Sequence, residues 1–72
     1  MAIIVLEAVG PRAEELATEA ARITEVPIGF DPDFRCATFD SDELEDAELR
    51  ELVLAALAAL DAAWDAHLRV AD

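Results

Sequence analysis

The stretch DELEDAELRELVLAALAALDAAWDAHLRV, residues 42–70, decides how the rest of the chain is read. It holds no glycine and no proline, and it is built mostly of alanine, leucine and glutamate, the residues that favour helix. Asp42 followed three residues later by Glu45 fits a capping box, which opens a helix by satisfying its first free N–H groups. At 100° per residue, Leu49, Leu52, Val53, Ala56, Leu57, Leu60, Ala63, Trp64, His67 and Leu68 fall on one broad side. Glu48, Glu51, Ala55, Ala58, Ala62, Asp65, Ala66 and Arg69 fall on the other. The pattern predicts one long terminal helix.

Upstream, residues 2–9 read as a strand. Ile3, Val5 and Val9 share one face, and Ala2, Ile4, Leu6 and Ala8 the other. Both faces are apolar apart from Glu7, so this strand is central, or a second chain covers its open face. Gly10-Pro11 starts a helix with proline where a missing N–H costs nothing, and Glu14 and Glu15 sit at the positive end of its dipole. Ala13, Leu16, Ala17, Ala20 and Ile23 form its small-residue stripe. Thr24–Phe30 reads as a second strand, which is an edge or is locally irregular, because Pro27 cannot donate to a ladder. Asp31-Pro32-Asp33 is a turn, and Phe34–Phe39 returns as a third strand. Residues 1–72 thus read as one α+β domain of order β-α-β-β-α: a small three-stranded sheet, two helices packed on one of its faces, and a long C-terminal helix.

The lengths do not match. A helix of roughly 27 residues runs about 40 Å, against strands of about 20 Å. The overhanging end would carry Leu60, Trp64 and Leu68, each worth about 1.5–3 kcal/mol when shielded from water. They are expected to meet a partner or a second copy of the chain; the alternative is a break near Asp46, giving two shorter helices that fold back onto the sheet.

Composition narrows the partner. The net charge of −12 disfavours direct contact with nucleic acid or an anionic membrane. Residues 1–39 carry −4 and residues 40–72 carry −8, with seven acids packed between Asp40 and Glu51. Sixteen alanines and the lack of lysine, asparagine, glutamine and tyrosine suggest a GC-rich genome; a salt-loving host would leave a similar mark. The amino terminus has no basic region, and its apolar run stops at Glu7, so neither a signal peptide nor a membrane span is expected. One cysteine suits a reducing compartment, and cytoplasm is the default. At 72 residues a single core is small, and a partner is one way to supplement it.

No catalytic, cofactor-binding or metal-ligating set stands out. Cys36 and His67 are too few for structural zinc, and they lie too far apart in sequence to suggest a thiolate pair. His67, on the apolar side, is read as a partly buried residue rather than a protonation switch. Asp31 and Asp33 lack the glycine and late glutamate of a calcium loop and read as turn formers. Gly10 and Gly29, the only glycines, make no phosphate loop.

The acidic run offers two readings, a solvated helix start or an anionic surface laid out like the phosphates of a duplex edge. For the second, Asp42, Glu45, Asp46, Glu48 and Glu51 are the candidate partner-binding residues. The element order, with Ala62-Ala63-Trp64-Asp65 on an acidic C-terminal helix, resembles the DinI family, small regulators of RecA-type recombinases. That resemblance implies an acidic helix imitating DNA against a basic protein. The opening Ile3-Ile4-Val5-Leu6-Glu7 is similar to the first strand of small tautomerases, which assemble through their sheets, but Ala2 stands where their catalytic proline would be. The expected function is a non-enzymatic acidic interaction module, a regulator or inhibitor that binds a basic protein surface. The alternatives are an assembly adaptor docking through its long helix and a small sheet-oligomer enzyme of unassigned chemistry.

Overall fold

A computed structural model describes residues 1–71. The elements are β1 (Ala2–Ala8), α1 (Ala13–Thr24), β2 (Ile28–Asp31), β3 (Cys36–Ser41), α2 (Asp46–Leu60), a 3₁₀ turn (Trp64–Ala66) and β4 (Leu68–Val70). All pairings are antiparallel, in the order β2-β3-β1-β4. The α+β class, the two helices and the internal position of β1 agree with the sequence. The three-stranded sheet and the long terminal helix do not.

The register explains where the core lies. Ile4 faces Phe39, Leu6 faces Ala37 and Val70, and Ala8 faces Leu68, so these side chains share one side of the sheet. Both helices cover that side. The stripe Ala13, Leu16, Ala17, Ala20 and Ala21 of α1 meets Leu49, Val53, Ala56 and Leu57 of α2 over Ala2, Ile4, Leu6 and Phe39. The alanines matter here because a helix without bulk on its inner face lies close to its neighbours. The opposite side of the sheet carries Ile3, Val5 and Glu7, with Thr38 and Asp40 across from them. Ile3 is 50% exposed there.

β2 is an edge strand paired with β3, and it starts at Ile28 rather than at Thr24, so Pro27 stands just before the ladder. Asp31 makes the hairpin turn by accepting the N–H groups of Asp33 at 2.9 Å and Phe34 at 3.3 Å through Oδ1. Arg35 takes a left-handed φ of 53°, so β3 starts at Cys36 rather than at Phe34.

The correction that matters most is at Asp61. The helix expected to run to Val70 stops at Leu60, and Asp61 is extended, with φ −155° and ψ 119°. Its Oδ1 accepts the Ala63 N–H at 2.8 Å, and its carbonyl accepts the Trp64 N–H at 3.0 Å. The chain then doubles back, and Leu68–Val70 pairs with Leu6–Ala8. Energetics favour this break. Helix propensities among these residues differ by at most about 0.7 kcal/mol each. Burying Leu68 completely and covering part of Trp64 recovers about 1.5–3 kcal/mol per full side chain. The return strand also pairs the backbone of β1 along an edge that would otherwise stay open. At fifteen residues α2 is about 22 Å long and does not overhang a molecule whose extents are 31 × 27 × 21 Å.

Gly10 makes the return possible. A side chain there would strike the Ala66 carbonyl oxygen and come within 2.8 Å of the His67 Cα. The His67 carbonyl accepts the Val9 and Gly10 N–H groups, and His67 Nδ1 accepts the Arg12 N–H at 3.3 Å. The segment after α2 therefore docks against the start of α1 as well as the edge of β1.

Candidate functional site

The apolar triad expected at a protruding tip is dispersed. Leu68 is fully buried on β4 by the chain itself, and Trp64 is half-buried in the 3₁₀ turn against the core. Leu60, at the last position of α2, is 37% exposed. Among the described residues there is no apolar overhang, because α2 ends at Leu60 and Trp64 and Leu68 belong to the return strand and its approach.

The acidic run also divides. Ser41 Oγ accepts the N–H groups of Glu43 at 3.1 Å and Leu44 at 3.2 Å, which holds residues 42–45 as a loop and delays the helix. The capping box therefore forms three residues later than the sequence suggests: Glu45 caps α2, and Glu48 reaches back to the Glu45 N–H at 3.1 Å. Asp46 Oδ1 accepts the Ile3 N–H at 3.3 Å, on the part of β1 that β4 does not reach. Glu45, Asp46 and Glu48 are thus committed to the fold. Asp42, Glu43 and Glu51 are exposed, and their carboxylates form no hydrogen bond or salt bridge among the described residues.

Asp42 and Glu43, but not Glu51, border a concavity of about 460 Å³. It lies where the end of α1 and the lead-in to β2 approach the loop after β3. Thr24 Oγ1 donates to the Ala20 carbonyl at 2.7 Å, and Glu25 turns the chain out of the helix with a left-handed φ of 59°. Val26 is buried and anchors the turn. Leu44 and Leu52 supply apolar lining from the α2 side, and Leu52 stays 39% exposed. Glu25, Asp40, Asp42 and Glu43 are the charged residues of the lining, and no cation is among them. Sequence reasoning missed Glu25, because fifteen residues and a hairpin separate it from the acidic run. The signal that marks it is its place just after an apolar helical stripe, where chains leave a helix.

The remaining chemistry-bearing groups are apart. Cys36 Sγ donates to the Phe34 carbonyl at 3.3 Å, while His67 sits against the start of α1. Among the described residues no three His, Cys, Asp or Glu side chains are grouped to hold a metal ion, and no helix is long and apolar enough to cross a membrane. Glu19 and Arg22 form an exposed ion pair on α1. The hydrogen bond from Arg22, reinforced by its charge, holds the Glu19 carboxyl below its ordinary range and raises Arg22 in turn.

Comparison of the chain with protein-family models, with curated proteins and with solved structures gave no match. The strand that follows α2 also departs from the β-α-β-β-α order on which the DinI resemblance stood.

Proposed function

We propose that the chain is a non-catalytic interaction module that presents carboxylates to a basic surface on a protein partner. The observation that carries this reading is how the charges are partitioned. Arg12, Arg22 and Arg69 are each bonded to acids of their own chain: Glu15 and Asp61, Glu19, and Glu7 respectively. Asp42, Glu43 and Glu51 are left facing solvent on a molecule of net charge −12. Unpaired like charges repel one another, and a cationic surface relieves that repulsion on contact.

The test is capture on the immobilised chain from its host's lysate, beside a variant with Asp42→Lys, Glu43→Lys and Glu51→Lys. These three sites spare the capping box, so the variant should fold. Captured protein should elute between roughly 0.1 and 0.5 M salt, as the screening length falls below about 5 Å, and should be missing from the variant. Capture that ignores both salt and charge reversal would sink the reading.

A second reading is self-association through the uncovered side of the sheet. Ile3, half-exposed on that side, and Phe34, 79% exposed at the hairpin, favour it. Sedimentation velocity at low and high salt decides it: a single monomeric species throughout removes it.

A further inference from the structure

The groove beside Glu25 says what kind of group the acidic surface receives. We propose that it takes an arginine or lysine side chain carried on a segment of the partner protein. The alkyl stem lies on Leu44 and Leu52, and the cation sits among Glu25, Asp42 and Glu43. This inference rests on the reading of the chain as a module for a basic protein.

Two features of the groove select that occupant. Its lining includes the apolar side chains of Val26, Leu44 and Leu52, and among the described residues its charged lining is wholly anionic. Long basic side chains match such a surface, because they bury a hydrocarbon stem while the charged head stays at a polar rim. A metal ion would gain nothing from the leucines, and an apolar side chain would leave the carboxylates without counter-charge. The volume of about 460 Å³ lies toward the low end for ligand pockets, which suits a side chain with its neighbours rather than a folded lobe. A second copy of this chain is a poor occupant, since it would bring −12 against −12.

The groove comes from three separate stretches: the end of α1, the loop after β3 and the second turn of α2. Its shape thus depends on the tertiary fold. That separates it from a merely acidic tail, which would attract cations without regard to arrangement.

The experiment is an NMR titration of the full-length ¹⁵N-labelled chain with the peptide acetyl-Ala-Arg-Leu-Arg-Ala-amide. Amide shifts should concentrate at Glu25, Asp42, Glu43, Leu44 and Leu52. The variant Glu25→Gln/Asp42→Asn/Glu43→Gln should weaken binding by about tenfold or more, since charge-assisted hydrogen bonds are lost. The control Glu14→Gln/Asp33→Asn/Asp65→Asn removes the same charge elsewhere and should change affinity by less than about twofold, the part due to net charge alone. Leu52→Ser should weaken binding severalfold, which charge alone does not predict.

Equal losses in both triple variants would overturn the groove and leave a diffuse acidic surface, with the broader reading intact. Tighter binding of spermidine or calcium ion than of the peptide, at the same residues, would also overturn it. If the peptide gives no salt-sensitive binding and lysate capture ignores charge reversal, both the groove and the interaction-module reading fail.

Discussion

Arg12 and Asp61 stand 49 positions apart in the chain, and their guanidinium and carboxylate meet at 2.9 Å. The contact joins the residue before α1 to the residue that ends α2. Asp61 uses its other carboxylate oxygen for the Ala63 N–H, so one side chain both stops a helix and ties its end to another element. Replacing Asp61 with Ala should therefore lower stability by about 1–2 kcal/mol, the range for a lost cap and a charge-assisted bond. Asp61→Asn keeps the acceptor for Ala63 and should cost less than about 1 kcal/mol, because Arg12 is largely solvated. Urea unfolding of the two variants measures the difference; equal midpoints would mean the cap is idle.

Leu68 and Leu60 provide a sharper test of the return strand. A continuous terminal helix would leave both on the same protruding end. In the fold observed, Leu68 is sealed in the core and Leu60 is more than one-third exposed. Leu68→Ala should cost about 2–5 kcal/mol, as buried leucine truncations do, and Leu60→Ala under about 1 kcal/mol. Comparable small losses at both positions would restore the long helix.

Gly10→Ala probes the same docking from the other side. The added methyl group meets the Ala66 carbonyl and lies 2.6 Å from His67 Nδ1, so Ala66 and His67 must move away from α1. A loss of about 1–3 kcal/mol is expected, as for other forced overpacking. Hydrogen exchange should show it first at the amides of residues 68–71. Unchanged protection there would mean the segment docks without needing the glycine.

These variants show where the sequence was readable. The first strand, the small-residue stripe of α1 and the edge position after Pro27 follow from periodicity and from one missing N–H, both local properties. The end of α2 does not. Residues 61–70 hold good helix formers, and what overrides them is the edge of β1 and the core that Leu68 joins, neither visible in a local window. The acidic run misled for a related reason. Asp42 with Glu45 and Glu45 with Glu48 both satisfy the capping spacing, and Ser41 decides between them by turning the chain before Asp42 can act. The groove was unreadable because Glu25 joins it only through the tertiary fold.

Glu19 offers a titration with a definite sign. Its carboxyl is held below the ordinary range by Arg22, so the folded-state pKa lies under the unfolded one. The pairing is fully present above the unfolded glutamate value and is lost as pH falls through the depressed one. Carboxyl ¹³C titration should place Glu19 below the ordinary glutamate range, and Arg22→Ala should return it to that range. A midpoint that ignores the Arg22 substitution would assign the shift to another cause. The pair is exposed and salt-screened, so acid sensitivity of the whole fold should barely change.

The split within the acidic run predicts opposite responses from neighbouring residues. Glu45 and Glu48 satisfy N–H groups at the start of α2, so Glu45→Ala or Glu48→Ala should each cost about 0.5–2 kcal/mol. Asp42, Glu43 and Glu51 contribute mainly repulsion in a chain of net charge −12. Neutralising them with Asp42→Asn/Glu43→Gln/Glu51→Gln should leave stability unchanged or raise it slightly. Added salt should stabilise the parent chain more than this variant, because screening substitutes for the removed charges. Thermal unfolding across a salt series separates the two groups of acids. If neutralising Asp42, Glu43 and Glu51 destabilises the chain as much as losing the capping box does, those three also hold the fold, and the acidic surface loses its claim to a partner.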